Sequence, residues 1–420
     1  MTETAAPTAT RAAVVFIFIT LMLDVLAMGV IIPVWPKLIE GFMGTTNQSD
    51  AVRIGSWLGF VWAAMQFVFT PVQGALSDRF GRRPVLLLSM TGLGLDYIVM
   101  ALAPDLVWLF IGRAISGVTA ASFGTANAYI ADVTPVEKRP AAYGMMGAAF
   151  GIGFILGPAL GGYAGSFDPR LPFWVAAALS LLNALYGYFI LPESLPRERR
   201  SAKFSLRHAN PLGAFRLLAS NAQLAGLATA QFFYMVAHNV YPSVFVWFTM
   251  YRYGWDPAKI GWALAATGAA SIVVQGGLVG PVVKFLGARR SMMTGLMFGI
   301  TGFLIYAIGP TDLSVWIAIP IGALWGFYTP AAQTLMTQSV SPSQQGQLQG
   351  ALGSLMGISM IIAPILYPRV FAAAIDFNTA TPMPGVPILG APFFVAAFLL
   401  ICALAVAWRV TQHHAADAKA

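Results

Sequence analysis

The chain is 420 residues long, 58% hydrophobic and only 10% charged, with a net charge of +8 and a mean hydropathy of +0.72. A soluble chain carries about a quarter charged residues, so most of this one does not face water, and a globular soluble enzyme is excluded. The one cysteine, Cys402, lies in an apolar run and rules out an intrachain disulfide.

Apolar stretches near the length needed to cross a hydrocarbon core, about 20 residues, recur at 14–36, 54–77, 84–103, 106–131, 141–165, 172–191, 222–250, 259–283, 291–309, 313–340, 346–373 and 390–409. The prediction is an all-α membrane protein with twelve transmembrane helices. The first stretch follows Arg11 without a small-residue cleavage pattern and reads as a retained helix. Of the 24 Lys and Arg, 17 fall in loops on one side and 6 on the other, with Arg113 left inside a helix. The positive-inside rule then places both termini in the cytoplasm, and the positive charge is explained by topology rather than by nucleic acid. The polar stretch 193–220 reads as a cytoplasmic linker between an N-terminal half, 1–192, and a C-terminal half, 221–420.

Helix 1 carries Asp24, about 15 Å from its cytoplasmic end and without an evident partner. The next loop reads "GALSDRFGRRP" (74–84). Topology accounts for Arg79, Arg82 and Arg83 but not for Asp78, Gly74 or Gly81. Gly81 suits a sharp reversal, and Gly74 suits close packing of helix 2 on a neighbour. Asp78 can accept bonds from the free amides of another helix's N-terminus, the favoured end being near Gln345-Gly346. Such a contact is a state-dependent latch. Asp132 and Arg139, at the following loop on the same side, belong to the same gating group.

Asp96, about 18 Å along helix 3, and Arg113, about 10 Å into helix 4, lie at similar depth on adjacent helices and can pair. Ionisable groups inside a bilayer are functional candidates by default, although a fixed structural ion pair is the alternative. On helix 5, Gly153, Gly157, Gly161 and Gly165 stand four apart, with Pro158 as a bend point. On helix 7, Gln231, His238 and Asn239 sit among Phe232, Phe233, Tyr234 and Tyr241, the mixture expected of a ligand cavity wall, though a lone histidine serves as readily in packing.

The halves repeat at one offset. Pro36 and Pro242 lie 206 apart, and the same 206 relates Ile54-Gly55 to Ile260-Gly261, Gly74 to Gly280, Gly81 to Gly287, Arg83 to Arg289, Gly144 to Gly350 and Pro158 to Pro364. Asn127 and Gln333 share it, so the two amides are expected to face one cavity. Two parallel six-helix repeats are the arrangement of the major facilitator fold, with two pseudo-symmetric halves and a substrate site near the midplane.

"GALSDRFGRRP" resembles the signature loop of the major facilitator superfamily. "GIGFILGPALGG" (151–162), which includes Gly153, Gly157, Pro158, Gly161 and Gly162, is similar to the fifth-helix motif of its drug/proton antiporters. "LDVLAMGVIIPVWPKL", "LDYIVMALAP", "IGRAISGVTAASFGTANAYIADVT" and "QQGQLQGAL" resemble tetracycline/proton antiporters. The resemblance implies a secondary transporter of a bacterial inner membrane, working as a monomer, that exports an amphiphilic drug-like solute in exchange for protons, with Asp24, Asp96 and Arg113 at the functionally implicated positions. Where those antiporters have an acid in helix 9 and a histidine near the start of helix 8, this chain has Gly299 and Gly254, and no acid falls in any second-half span. Proton handling then sits in the first half alone, or the protein is not a tetracycline pump in the strict sense. The rival reading is a carrier of a natural metabolite without proton coupling. The four histidines and one cysteine show no catalytic or metal-ligand spacing, and no phosphate-binding GxxxxGK[ST] loop is present, so no enzyme activity, metal or cofactor is expected.

Overall fold

The computed structural model describes residues 9–44, 47–120, 122–134, 139–200, 217–341, 344–383 and 386–412. Residues 201–216 of the expected linker lie outside this set. Sixteen helices are described: α1 Ala9–Ile31, α2 Trp35–Met43, α3 Gln48–Phe80, α4 Arg82–Leu102, α5 Leu106–Thr119, α6 Ser122–Val133, α7 Arg139–Phe167, α8 Leu171–Ile190, α9 Ala222–His238, α10 Val240–Tyr253, α11 Pro257–Val273, α12 Val279–Ile308, α13 Leu313–Ala323, α14 Tyr328–Gln338, α15 Gln345–Ala380 and α16 Ala391–Thr411.

Among the described residues ten helical stretches are long and apolar enough to cross a membrane. The longest, Pro257–Ile308, reverses at Gly287, whose φ of 74° and ψ of 161° are non-helical, and so counts as two crossings. The pair α9 and α10 is broken at Asn239, so neither piece qualifies alone, yet together they supply the twelfth. The apolar side chains left exposed, such as Leu88, Phe189, Phe285 and Phe398, suit a lipid-facing surface, where no water is present to favour polar groups.

Among the described residues four of the twelve crossings, expected as continuous helices, are broken or tightened, and helix 8 loosens to a π turn at Val274–Leu278. Helix 1 tightens to a 3₁₀ turn at Ile32–Val34 between α1 and α2. Helix 7 breaks at Asn239, helix 4 between Thr119 and Ser122, and helix 10 through a 3₁₀ turn at Leu324–Phe327. Proline explains three of these. Pro36, Pro242 and Pro330 have no N–H to bond the carbonyl four residues earlier, and their rings crowd it. The freed carbonyls belong to Ile32, His238 and Gly326. The breaks also obey the 206-residue repeat, with helix 1 matching helix 7 and helix 4 matching helix 10.

The chain divides into two compact units, Met1–Leu38 with Val61–Ala209 and Ile39–Phe60 with Asn210–Ala420. The division falls within α3. In the first unit α1 packs on α7 and α8, and α4 on α8 and α5, around Ile17, Leu21, Leu86, Met90, Tyr129 and Ala149. The second unit uses the same scheme, with α9 and α12 on α16 and both α9 and α10 on α15. Its core is aromatic. Phe248, Phe303, Tyr306, Phe371 and Phe393 are all fully buried or nearly so.

Candidate functional site

Helices broken at matching places in two repeats mark the binding region of many transporters, because an unwound turn exposes backbone groups inside the bilayer. In the first unit the break in helix 4 frees the carbonyls of Val118 and Ala120. Gln73 on α3 donates through Nε2 to the Val118 oxygen at 2.5 Å, and Gln66 donates to the Ala120 oxygen at 3.4 Å. Both glutamines went unremarked in the sequence, since their partners exist only once the helix is broken.

Asp24 is buried on α1. The expectation that it lacks a partner is corrected by Asn183 on α8, whose Nδ2 donates to Oδ1 of Asp24 at 3.0 Å and to the Thr20 carbonyl at 3.1 Å. An amide at this depth suits either protonation state of the carboxyl, because it donates one bond and leaves the second oxygen free. α1 and α7 also frame an apolar hollow of about 240 Å³ lined by Leu21, Val25, Met146, Gly147 and Phe150.

Asp96 is 1% exposed on α4, and neither carboxylate oxygen has a hydrogen-bond partner at ordinary distance. Its Oδ1 lies against Gly112 of α5, where a Cβ would stand 3.0 Å from it. Arg113, the next residue, forms no ion pair with it. Instead the guanidinium sits over two indole rings, 5.2 Å from the centroid of Trp35 and 5.2 Å from that of Trp62, with Nε buried and unpartnered. A desolvated cation–π contact is worth about 2 kcal/mol, so two of them compete with a carboxylate. The expected Asp96–Arg113 pair is thus replaced by an aromatic cage that only the fold assembles.

At the arginine-rich end of the first unit, residues 74–84 are the ends of two helices rather than a loop. α3 and α4 meet at Gly81 alone, whose φ of 105° reverses the chain in one residue. A Cβ there would also strike Glu193. Asp78 is held by its own neighbour, since Arg82 donates from Nη1 to Oδ1 of Asp78 at 2.5 Å and to Ser77 at 2.7 Å. Arg82 also donates from Nε to Asp132 at 3.2 Å, and its backbone N–H donates to Glu193, itself paired with Arg200. Arg83 reaches the Tyr188 carbonyl at 2.6 Å and lies over that ring, while Arg79 is exposed over Phe80. The side chain of Arg139 lies outside what is described. A Cβ on Gly74 would meet nothing within 4 Å, so close packing does not account for that glycine.

The glycine stripe of α7 lies on α1. A Cβ at Gly153 would stand 2.7 Å from the Met22 carbonyl oxygen, one at Gly157 2.7 Å from that of Leu26, and those at Gly161 and Gly165 would strike Val30 and Val34. Pro158 packs against Gly29, and Gly162 is buried.

In the second unit α9 ends in an aromatic group. Tyr234 stacks on Tyr328 at 4.1 Å and meets Trp325 edge-on at 4.8 Å, and His238 lies 5.2 Å from Trp325 and 6.2 Å from Tyr241. His238 and Gln333 present exposed side chains, as does Asn127 in the first unit. Gln231 is buried with Oε1 unpartnered. Asn239 is committed to the break, donating to the Met235 carbonyl at 2.8 Å and to Ser359 at 3.4 Å. Gly299 packs against Leu400 and the Trp325 ring, which leaves no room for an acid. Asp376 lies beyond the expected span 346–373, in the exposed last turns of α15, and accepts from Arg53 at 2.5 Å. Around that pair Arg369 covers Trp57, and Gly55 and Gly59 press on Trp247 and Pro364. Among the described residues no three His, Cys, Asp or Glu side chains gather to hold a metal.

A profile of the Major Facilitator Superfamily matches residues 17–364 and 227–419. The chain belongs to the major facilitator superfamily. Among relatives of this superfamily, it is 36% identical over 365 residues to the tetracycline resistance protein class C of Escherichia coli, covering 86% of this chain and 90% of that one. It is 35% identical to the class E protein of Escherichia coli, covering 92% and 94%. Among solved structures it resembles the human organic anion transporter TETRAN (TM-score 0.70, 22% identity, 96% and 100% covered) and a bacterial homologue of the human lysosomal transporter Spinster in an inward-facing, unoccupied conformation (TM-score 0.76, 17% identity, 96% and 97% covered). The protein is a multi-pass membrane transporter with the major facilitator fold, not an enzyme.

Proposed function

We propose that this protein exports an amphiphilic, tetracycline-like solute in exchange for protons by alternating access, as a monomer in a bacterial inner membrane with both termini in the cytoplasm. The observation that carries the reading is the pair of acids buried in the first unit, Asp24 and Asp96, next to helices interrupted within the bilayer. Buried carboxyls in such places serve as proton relays. The likeness over most of the chain to proteins named for tetracycline resistance supplies the solute class, and the aromatic surface of Tyr234, His238 and Trp325 suits a polycyclic ligand. The cluster around Asp78, Arg82, Asp132 and Glu193 serves as a gate on the arginine-rich side, and the Gly153–Gly165 stripe lets α7 rock on α1. The excess of Lys and Arg on one side supports the orientation.

Everted membrane vesicles loaded with a pH-sensitive dye test this reading. Addition of tetracyclines to energised vesicles is expected to release protons through this protein and not through Asp96→Asn. Solute movement that leaves the proton gradient untouched would favour the uncoupled carrier.

A further inference from the structure

We infer that Trp35 and Trp62 are positioning residues for proton exchange, forming a cage that holds the Arg113 guanidinium away from Asp96 while Asp96 carries a proton. The inference rests on the proton-exchange reading above. Its basis is an unusual pairing of facts. Arg113 and Asp96 are neighbours, since Oδ1 of Asp96 lies against Gly112, the residue before Arg113. Yet Asp96 is buried with no ion pair and with only the neutral Ser116 hydroxyl as a hydrogen-bonding neighbour, Nε of Arg113 is buried and unpartnered, and the guanidinium rests over two indole faces at 5.2 Å each. A buried carboxylate left without an ion pair beside a buried arginine is costly, whereas a protonated carboxyl there is tolerable. The caged geometry therefore belongs to protonated Asp96.

When the proton leaves, the new negative charge draws Arg113 off the rings, and one ion pair replaces two cation–π contacts. The two arrangements are discrete, because the planar guanidinium cannot stack on both rings and bridge the carboxylate at once. Few other groups bear on this exchange. Ser116 of α5 faces Asp96, Tyr97 is beside it on α4, and Asp24 of α1 acts on Tyr97. Among the described residues α6 and α8 bring no charged group against either partner. Trp35 is fixed by Phe173 at 5.8 Å, and the backbone of Trp62 is fixed against Gly117, so the cage is rigid while its occupant is free to move.

The test titrates Asp96 in detergent without transport, by infrared difference spectroscopy, with Asp96→Asn assigning the carboxyl band. Trp35→Leu/Trp62→Leu removes the rings that favour the protonated arrangement. It is expected to lower the Asp96 titration midpoint by about one pH unit, a tenfold loss of proton affinity, with Trp35→Phe/Trp62→Phe in between. An unshifted midpoint in the folded leucine variant would overturn the cage. Wild-type protein gives a second reading that needs no unstable variant. Its ultraviolet resonance Raman indole bands, assigned through the single phenylalanine variants, are expected to change as Asp96 titrates and to stay constant in Asp96→Asn. Indole bands that ignore the titration would sink the inference too. If Asp96→Asn exports normally while the indole bands of wild type follow the titration, the proton-exchange reading fails and the cage stands. If the bands are silent while Asp96→Asn loses export, the reverse holds.

Discussion

The two units are built to one plan and filled with opposite chemistry. On helix 5 the side facing α1 is Gly153, Gly157, Gly161 and Gly165. At the repeat-related positions α15 carries Ser359, Ala363, Tyr367 and Phe371, all fully buried. Backbone approaches backbone in the first unit, while side chains of rising size fill the same gap in the second. The charged interior shows the same contrast. Asp24, Asp96 and Arg113 correspond to Ala230, Gly302 and Ile319, and the buried Arg82 to Ala288. What the second unit holds instead is an aromatic wall. Some parts stayed equal. Gly81 and Gly287 both reverse the chain with positive φ, and the arginine two residues later lies over Tyr188 in one unit and over Trp408 in the other. The turn needs glycine for steric reasons in both copies, so it persisted. The interior had no such constraint, and one copy could take up ion chemistry while the other took up aromatic surface.

The sharpest way to break the contrast is to remove the first unit's acids. Asp24→Asn is expected to abolish proton-coupled export in everted vesicles and to leave insertion and folding intact, because an amide keeps the bond with Asn183. Proton-driven export at the normal rate would show that the charge asymmetry has no role in coupling.

Packing comes next. Gly161→Leu forces a side chain into Val30 and is expected to cost about 1–3 kcal/mol, the usual range for overpacking, read as a lower unfolding midpoint in detergent. Tyr367→Phe, at the matching position, loses only the hydroxyl that donates to the Val236 carbonyl at 3.0 Å, about 1 kcal/mol. Equal effects would mean that the two helix pairs are packed alike after all.

The aromatic wall sets a smaller effect. Tyr234→Ala removes stacking on Tyr328, and such pairs are worth about 0.5–1.5 kcal/mol. If the wall binds solute, KM should rise about two- to tenfold with the proton stoichiometry unchanged. A change in stoichiometry would place ion chemistry in the second unit.

Surface pairs of the second unit should matter least. Arg53 and Asp376 are 48% and 45% exposed, so a double-mutant cycle is expected to give about 0.2–1 kcal/mol. Lys259 donates to Asp312, which holds that carboxyl below its usual range. Its contribution is present above about pH 4 and is lost as pH falls through the lowered value. Asp312→Asn should therefore lower stability slightly at neutral pH, flatten the acid side of the stability profile and match the unsubstituted protein at low pH.

Much of this was legible in the residues themselves. Spans follow from hydropathy because a bilayer demands about twenty apolar residues per crossing, and the repeat follows from the spacing of glycines and prolines that no other residue can replace. Asp24, Asp96 and Arg113 stood out because charge is rare in such segments. Their partners did not. Asn183 comes to Asp24 from 159 residues away, and Trp35 and Trp62 close on Arg113 from two other helices. An apolar or amide side chain looks ordinary in any one helix, and only packing decides which ring faces which charge. The prolines at 36, 242 and 330 were visible, but whether each would bend, tighten or break its helix depended on neighbours able to satisfy the freed carbonyls. The sequence by itself determined that this chain crosses a membrane twelve times as a duplicated unit, because composition and spacing act locally. The tertiary structure alone decided that Arg113 rests between two indoles rather than on Asp96, because that choice balances contacts contributed by three separate helices.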